Sequence, residues 1–188
     1  MAYSRAVRFR VEAEREIYKA RVFRVVAKDL RLPNGRRTTY SVVEHPGAVA
    51  IVPVFDDGDV LLIRQFRPTL GGEILEIPAG TLEKGETPLA TAKREIVEET
   101  GYRAGRWTKL AEFYTAPGFC TEYMHVYAAS GLTPASAEKD PDEVIRPLRV
   151  SLDRALDLIG KRKIRDAKSI AGLLVYHEQR RRKTSEAR

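Results

Sequence analysis

Residues 80–102 read GTLEKGETPLATAKREIVEETGY. Thr87 can cap a helix, Pro88 suits its first turn and Gly101 suits the left-handed position after its last, so a helix is predicted over about Thr87–Thr100. On that helix Glu95, Glu98 and Glu99 fall at i, i+3 and i+4 and share one face. Three like charges within one turn repel, a local cost that a bound divalent cation relieves. Carboxylates with no His or Cys beside them suit a hard ion, Mg²⁺ or Mn²⁺, of the kind that bridges to substrate phosphates. Taken alone, the cluster also fits a solvated acidic face offset by Lys93 and Arg94.

Outward from the helix, the chain reads as alternating strand and turn signals. Val22–Ala27 and Thr38–Val43, rich in β-branched and aromatic residues, flank Pro33-Asn34-Gly35 and predict an N-terminal antiparallel hairpin. Ala48–Phe55 and Val60–Phe66 are apolar runs about an Asp-Asp-Gly-Asp turn and predict two buried antiparallel strands. Strands are expected at Trp107–Tyr114, Tyr123–Ala129 and Val144–Val150. Two closing helices are expected, one about Leu152–Ile159 and one from near Asp166 that buries Ile170, Leu173, Leu174 and His177. A boundary near residue 45 divides a small β region, 1–45, from a main domain, 46–188.

Length and composition narrow the classes. The 188 residues match one domain with a small appendage, and 43% hydrophobic against 31% charged residues excludes a disordered or fibrous chain. No apolar stretch approaches the ~20 residues of a membrane span. Residues 1–16 carry Arg5, Arg8, Arg10, Glu12, Glu14 and Glu16 where a secretory signal needs an apolar block. Cys120 is the only cysteine, which rules out an internal disulfide and fits a reducing compartment; a cytoplasmic location is expected. The net charge of +7 resides in residues 161–188, which hold ten Lys/Arg and three Asp/Glu. Such a run reads first as a solvated helix end, and nucleic-acid binding as a lesser role. His45, His125 and His177 are too dispersed to form a site.

The full spacing settles what the glutamates alone leave open. Gly80, Glu86, Arg94-Glu95, Ile96, Glu98-Glu99, Gly101 and Tyr102 match every fixed position of the Nudix box, and the chain resembles a Nudix hydrolase over about residues 46–180. The resemblance implies an α+β fold, an α/β/α sandwich around a mixed β-sheet. It also implies hydrolysis of a nucleoside diphosphate linked to another moiety, with Mg²⁺, or Mn²⁺, as cofactor. It gives the metal to the carbonyl of Ala79 and the carboxylates of Glu95 and Glu99, with Glu98 as a further ligand or water-orienting group. Gly80, Glu86 and Arg94 would support these ligands.

Further stretches resemble the ADP-ribose pyrophosphatase branch: Pro117, 16 residues after Gly101, with His45-Pro46-Gly47-Ala48-Val49, Ile63-Arg64-Gln65-Phe66-Arg67, Glu76-Ile77-Pro78-Ala79-Gly80 and Asp166-Ala167-Lys168-Ser169. The implied reaction is ADP-ribose plus water to AMP plus ribose 5-phosphate. Arg67 would then bind phosphate or ribose, Pro117-Gly118 would shape the ribose pocket and Glu122 would hold a ribose hydroxyl. In this branch the N-terminal region commonly forms a homodimer and part of the adenine site, with Tyr18, Phe23 and Tyr40 as stacking candidates. The catalytic base is expected on the loop before Val144, at Glu143, with Glu98 and Asp142 as alternatives. Two other readings stand beside this one. The chain acts on other nucleoside diphosphate sugars such as GDP-mannose, or it is a non-catalytic ligand sensor whose basic tail grips nucleic acid.

Overall fold

The computed structural model describes residues 9–136 and 144–186. Two compact units are distinguishable: one comprises the described part of residues 1–46 with 114–123, the other residues 47–113 and the described part of 124–188.

In the first unit, β1 (Arg10–Lys19), β2 (Arg24–Arg31) and β3 (Arg37–Glu44) form an antiparallel sheet in the order β1-β2-β3. The expected hairpin is β2–β3, turning through Asn34 and a left-handed Gly35. The addition is β1. Its sequence, RVEAEREIYK, carries too many charges for the apolar alternation by which strands are recognised, and all ten residues are exposed. Charge suits an outer strand, because it discourages further edge pairing. Cross-strand ion pairs tie the sheet together: Glu44 binds Arg24 at 2.6 Å and Lys28 at 2.5 Å, and Glu12 binds Arg31 at 2.5 Å and Arg37 at 2.9 Å.

In the second unit, β4 (Ala48–Val54), β5 (Val60–Arg67), β6 (Gly72–Glu76), β7 (Ala79–Thr81), β8 (Tyr102–Tyr114), β9 (Tyr123–Pro134) and β10 (Ile145–Val150) form a mixed sheet among the described residues, in the order β10-β5-β4-β9-β8. Here β6 pairs with β5 and β7 with β4. The β4–β9 pairing is parallel, and those of β5 with β4, β6 and β10 are antiparallel. The helices are α1 (Pro88–Thr100), α2 (Leu152–Gly160) and α3 (Ala167–Glu186).

Strand β4 explains why its sequence is apolar throughout rather than alternating. Ala48, Ala50, Val52 and Val54 face a core shared with Leu158 of α2 and Leu173 of α3, whereas Val49 and Ile51 face a second core with Ala92 and Ile96 of α1. Both faces of the strand are covered by helices, which is the three-layer arrangement expected. Pro53 tolerates this central place because Ile51, of the same parity, directs its N–H to Pro78, and Pro53 falls between the stretches of β4 that pair with β7 and β5.

One helix face departs from expectation. Ile170 and Leu173 pack into the core with Tyr176, but Leu174 is 46% exposed and His177 is only half-buried. The inner face of α3 combines these side chains with small residues. Ser169 is fully buried, and a Cβ on Gly172 would stand 3.0 Å from Ile77 and 3.2 Å from Val126, so the helix approaches the sheet too closely for a leucine there. Among the described residues no helix is long and apolar enough to cross a membrane.

Candidate active site

The helix that carries the glutamates is bounded as its sequence predicts. Thr87 accepts the N–H of Ala90 at its start, and Gly101, at φ 73°, ends it with an N–H donated to Val97. Its buried face runs through Thr91, Ala92, Ile96, Glu99 and Thr100. Glu99 therefore lies on the apolar stripe, 3% exposed, where an ionised carboxylate needs a partner. The N–H of Ala79 supplies one at 2.8 Å and fixes the strand segment 79–81 against the helix.

Glu95 and Glu98 lie beside this stripe and are gathered by Arg94. One guanidinium nitrogen, Nη1, donates to Glu95 at 2.7 Å and to Glu98 at 2.9 Å. Its other edge, Nε and Nη2, grips both oxygens of Glu86 at 3.2 and 3.1 Å. Glu86 also accepts from the hydroxyl of Thr91 at 2.9 Å and from the N–H of Glu83 at 3.3 Å. The hydrogen bond from Arg94, aided by that from Thr91, pulls the Glu86 carboxyl down to about 2, and Glu86 in turn holds Arg94 more firmly protonated than an ordinary arginine. Thr91, fully buried, is a supporting residue that the sequence reading passed over. Only its place one turn before Glu95 could have marked it.

Gly80 has a specific reason to be glycine. Its backbone is not left-handed; the space its side chain would need is filled by the carboxyl group of Glu95, with which a Cβ would overlap. The structure thus joins Gly80, Glu86, Arg94, Glu95 and Glu98 into one network, with Ala79 and Glu99 hydrogen-bonded beside it.

This donor set suits a hard divalent cation: carboxylate and carbonyl oxygens with no sulfur or imidazole among them. Among the described residues, no three His, Cys, Asp or Glu side chains surround one point as a finished cage. Glu95 and Glu98 are instead both hydrogen-bonded to the guanidinium of Arg94. The oxygens of Glu95, Glu98, Glu99 and Ala79 are of the kind a hard ion takes, and Arg94 stands beside Glu95 and Glu98 as a counter-charge.

The remaining residues fall elsewhere. Arg67, at the end of β5, binds Glu76 through Nε at 2.9 Å and Nη2 at 2.6 Å. Pro117, Gly118 and Glu122 belong to the first unit, on the 114–123 loop. That loop turns through bonds from Phe119 and Cys120 to the carbonyl of Ala116, and Glu122 accepts the Thr115 hydroxyl at 2.6 Å. The loop is clipped onto β3, with Val43 donating to Phe119 at 2.8 Å and accepting from Thr121 at 2.9 Å. Tyr18 and Tyr40 are exposed at 59% and 48%. Asp142 and Glu143 lie outside the described residues.

Comparison with known proteins bears on the same segments. A model of the NUDIX domain matches residues 44–173. The chain is 44% identical over 159 residues to an ADP-ribose pyrophosphatase of Bacillus subtilis (strain 168), covering 84% of this chain and 86% of that one. It is 40% identical over 157 residues to a methanol dehydrogenase activator of Bacillus methanolicus, covering 82% and 85%. A crystal structure of an ADP compounds hydrolase superposes with a TM-score of 0.82 at 27% identity, over 94% of this chain and 96% of the other.

Proposed function

The chain belongs to the Nudix hydrolase family, and from that premise we propose that it hydrolyses the pyrophosphate bond of ADP-ribose, with Mg²⁺, to AMP and ribose 5-phosphate. The observation that carries the chemistry is the Arg94 network, which collects Glu86, Glu95 and Glu98 beside the Glu99–Ala79 pair. The choice of substrate is supported by the 44% identity to an ADP-ribose pyrophosphatase.

Glu95, Glu98, Glu99 and the Ala79 carbonyl would hold the divalent ion, or Mn²⁺ in its place. When bound, such an ion neutralises diphosphate charge and lowers the pKa of water to make a nucleophile at neutral pH. Arg94 keeps Glu95 and Glu98 in place and offsets their charge. Arg67 presents its guanidinium to a substrate phosphate, as a planar fork suits. Glu122 accepts a ribose hydroxyl on a turn shaped by Pro117 and Gly118. The proton of the attacking water goes to a carboxylate, Glu143 or, within the network, Glu98.

The N-terminal unit, residues 1–45 in the sequence, is assigned to a homodimer interface. Its support is the apolar residues exposed there, among them Phe9, Val11, Ile17 and Tyr18, all more than half accessible.

The test is an initial-rate screen of the purified chain with Mg²⁺ against ADP-ribose, GDP-mannose, UDP-glucose, dinucleoside polyphosphates and nucleoside triphosphates, with products identified. Preference for ADP-ribose, giving AMP and ribose 5-phosphate, is expected. Turnover of another conjugate alone would overturn the substrate assignment, and silence on all of them the hydrolase reading.

A further inference from the structure

Three of the stretches that mark the ADP-ribose pyrophosphatase branch meet at one buried carboxylate, and no catalytic step above uses it. Glu76, at the end of β6, is 2% exposed. Its oxygens are divided. Oε2 accepts from Nε and Nη2 of Arg67 at 2.9 and 2.6 Å, and Oε1 accepts from Nζ of Lys168 at 2.8 Å. Lys168, in the first turn of α3 and 11% exposed, also meets Asp166 at 3.0 Å. Asp166 in turn caps the helix by accepting the N–H of Ser169.

We propose that Lys168 is a positioning residue: by occupying one oxygen of Glu76 it leaves only the other for Arg67, and so keeps the far edge of the Arg67 guanidinium turned outward for a substrate phosphate. An arginine has two bidentate edges, Nε with Nη2 and Nη2 with Nη1. Glu76 takes the first edge on a single oxygen. The second remains, on a side chain that is 33% exposed.

The strand register makes this arrangement depend on the side chains. Glu76 stands opposite Ile63, whereas Arg67 is four residues further along β5, so the arginine must reach back along the sheet to its partner. If Lys168 lost its charge, both oxygens of Glu76 would be available to Arg67, and a buried carboxylate short of one cation would draw the guanidinium inward with both. The helix itself would stay docked, because Ser169 independently accepts the N–H of Ile77 at 2.8 Å.

The inference rests on the hydrolase reading only in taking a diphosphate as the ligand. The probe is methylenediphosphonate, whose P–C–P bridge resists hydrolysis, titrated calorimetrically into the full chain with Mg²⁺. Lys168→Met is expected to raise its Kd roughly tenfold, Arg67→Ala to raise it at least as much, and Lys168→Arg to stay within about twofold of the parent. With ADP-ribose the Lys168→Met loss should fall on KM rather than kcat. The proposal is overturned by an unchanged Kd in Lys168→Met, by equal loss in Lys168→Arg, which would mean packing rather than charge, or by a parent chain that does not bind the probe. Binding with this pattern, in a chain that leaves ADP-ribose intact, would remove the substrate assignment and leave the role of Lys168 standing.

Discussion

The carboxyl group of Glu95 lies against the α-carbon of Gly80, so closely that a methyl group at residue 80 would overlap it. Gly80→Ala must therefore push Glu95 off its position. Divalent metal affinity and turnover should each fall roughly 10- to 100-fold, the scale on which displaced supporting groups act, with little change in Tm. Mn²⁺ titration followed by electron paramagnetic resonance reads the first directly. Unaltered affinity would detach Glu95 from the metal.

Glu99→Gln separates two duties of one side chain. The amide oxygen can still accept the Ala79 N–H, so the buried face of α1 should lose only about 1 kcal/mol. The charge proposed to hold the ion is gone, however, and turnover should drop by orders of magnitude. Chemical denaturation together with initial rates gives both numbers, and near-parental turnover would remove Glu99 from the ligand set.

Arg94→Met leaves Glu86, Glu95 and Glu98 without the cation that links them. Because the site is only partly enclosed, a cost of about 2 kcal/mol is expected, below that of a fully buried pair. Millimolar Mg²⁺ should then raise Tm more in this variant than in the parent, since it relieves the same repulsion. An equal or smaller rise would argue that the carboxylates repel little.

Acid should expose the Glu86–Arg94 pair. The folded-state value of Glu86 lies at about 2, below its ordinary 4.5, chiefly through the hydrogen bond from Arg94. A depressed carboxyl stabilises the fold fully above its ordinary value, and that contribution is lost as pH falls from about 4.5 toward 2. Glu86→Gln should thus unfold more readily than the parent at pH 7, with the difference narrowing across that window. Denaturant midpoints at several pH values measure it, and a constant gap would contradict the pairing.

The sequence disclosed these features unequally, for physical reasons. Thr87, Pro88 and Gly101 announce α1 because caps and left-handed glycines act within a few residues, and the glutamate spacing follows from helical geometry alone. Strand β4 was legible from its unbroken apolar run, which requires cover on both faces. Strand β1 was not, since an exposed edge places no demand on hydrophobic pattern. Leu174 misled because periodicity cannot foresee that Ser169 and Gly172 share the inner face of α3 with Leu173 and bring the helix close to the sheet. Arg67 and Lys168 were visible as motif letters, but their meeting at Glu76 joins residues 92 positions apart and belongs to tertiary structure.

The clip between Val43 and the 114–123 loop confounds the most obvious experiment on the N-terminal region. Deleting residues 1–44 to test for a dimer would also strip the loop of the strand on which Phe119 and Thr121 are hydrogen-bonded. A rise in KM after such a deletion would then report loss of the proposed subunit partner and slackening of the proposed ribose turn as one undivided effect. Val43→Pro uncouples them: it abolishes the N–H that Phe119 receives and spares the rest of the sheet. A dimer that persists in this variant while KM climbs would show that the N-terminal sheet acts on substrate affinity from within its own polypeptide. Drift in its sequence would then surface as altered substrate affinity before it altered assembly.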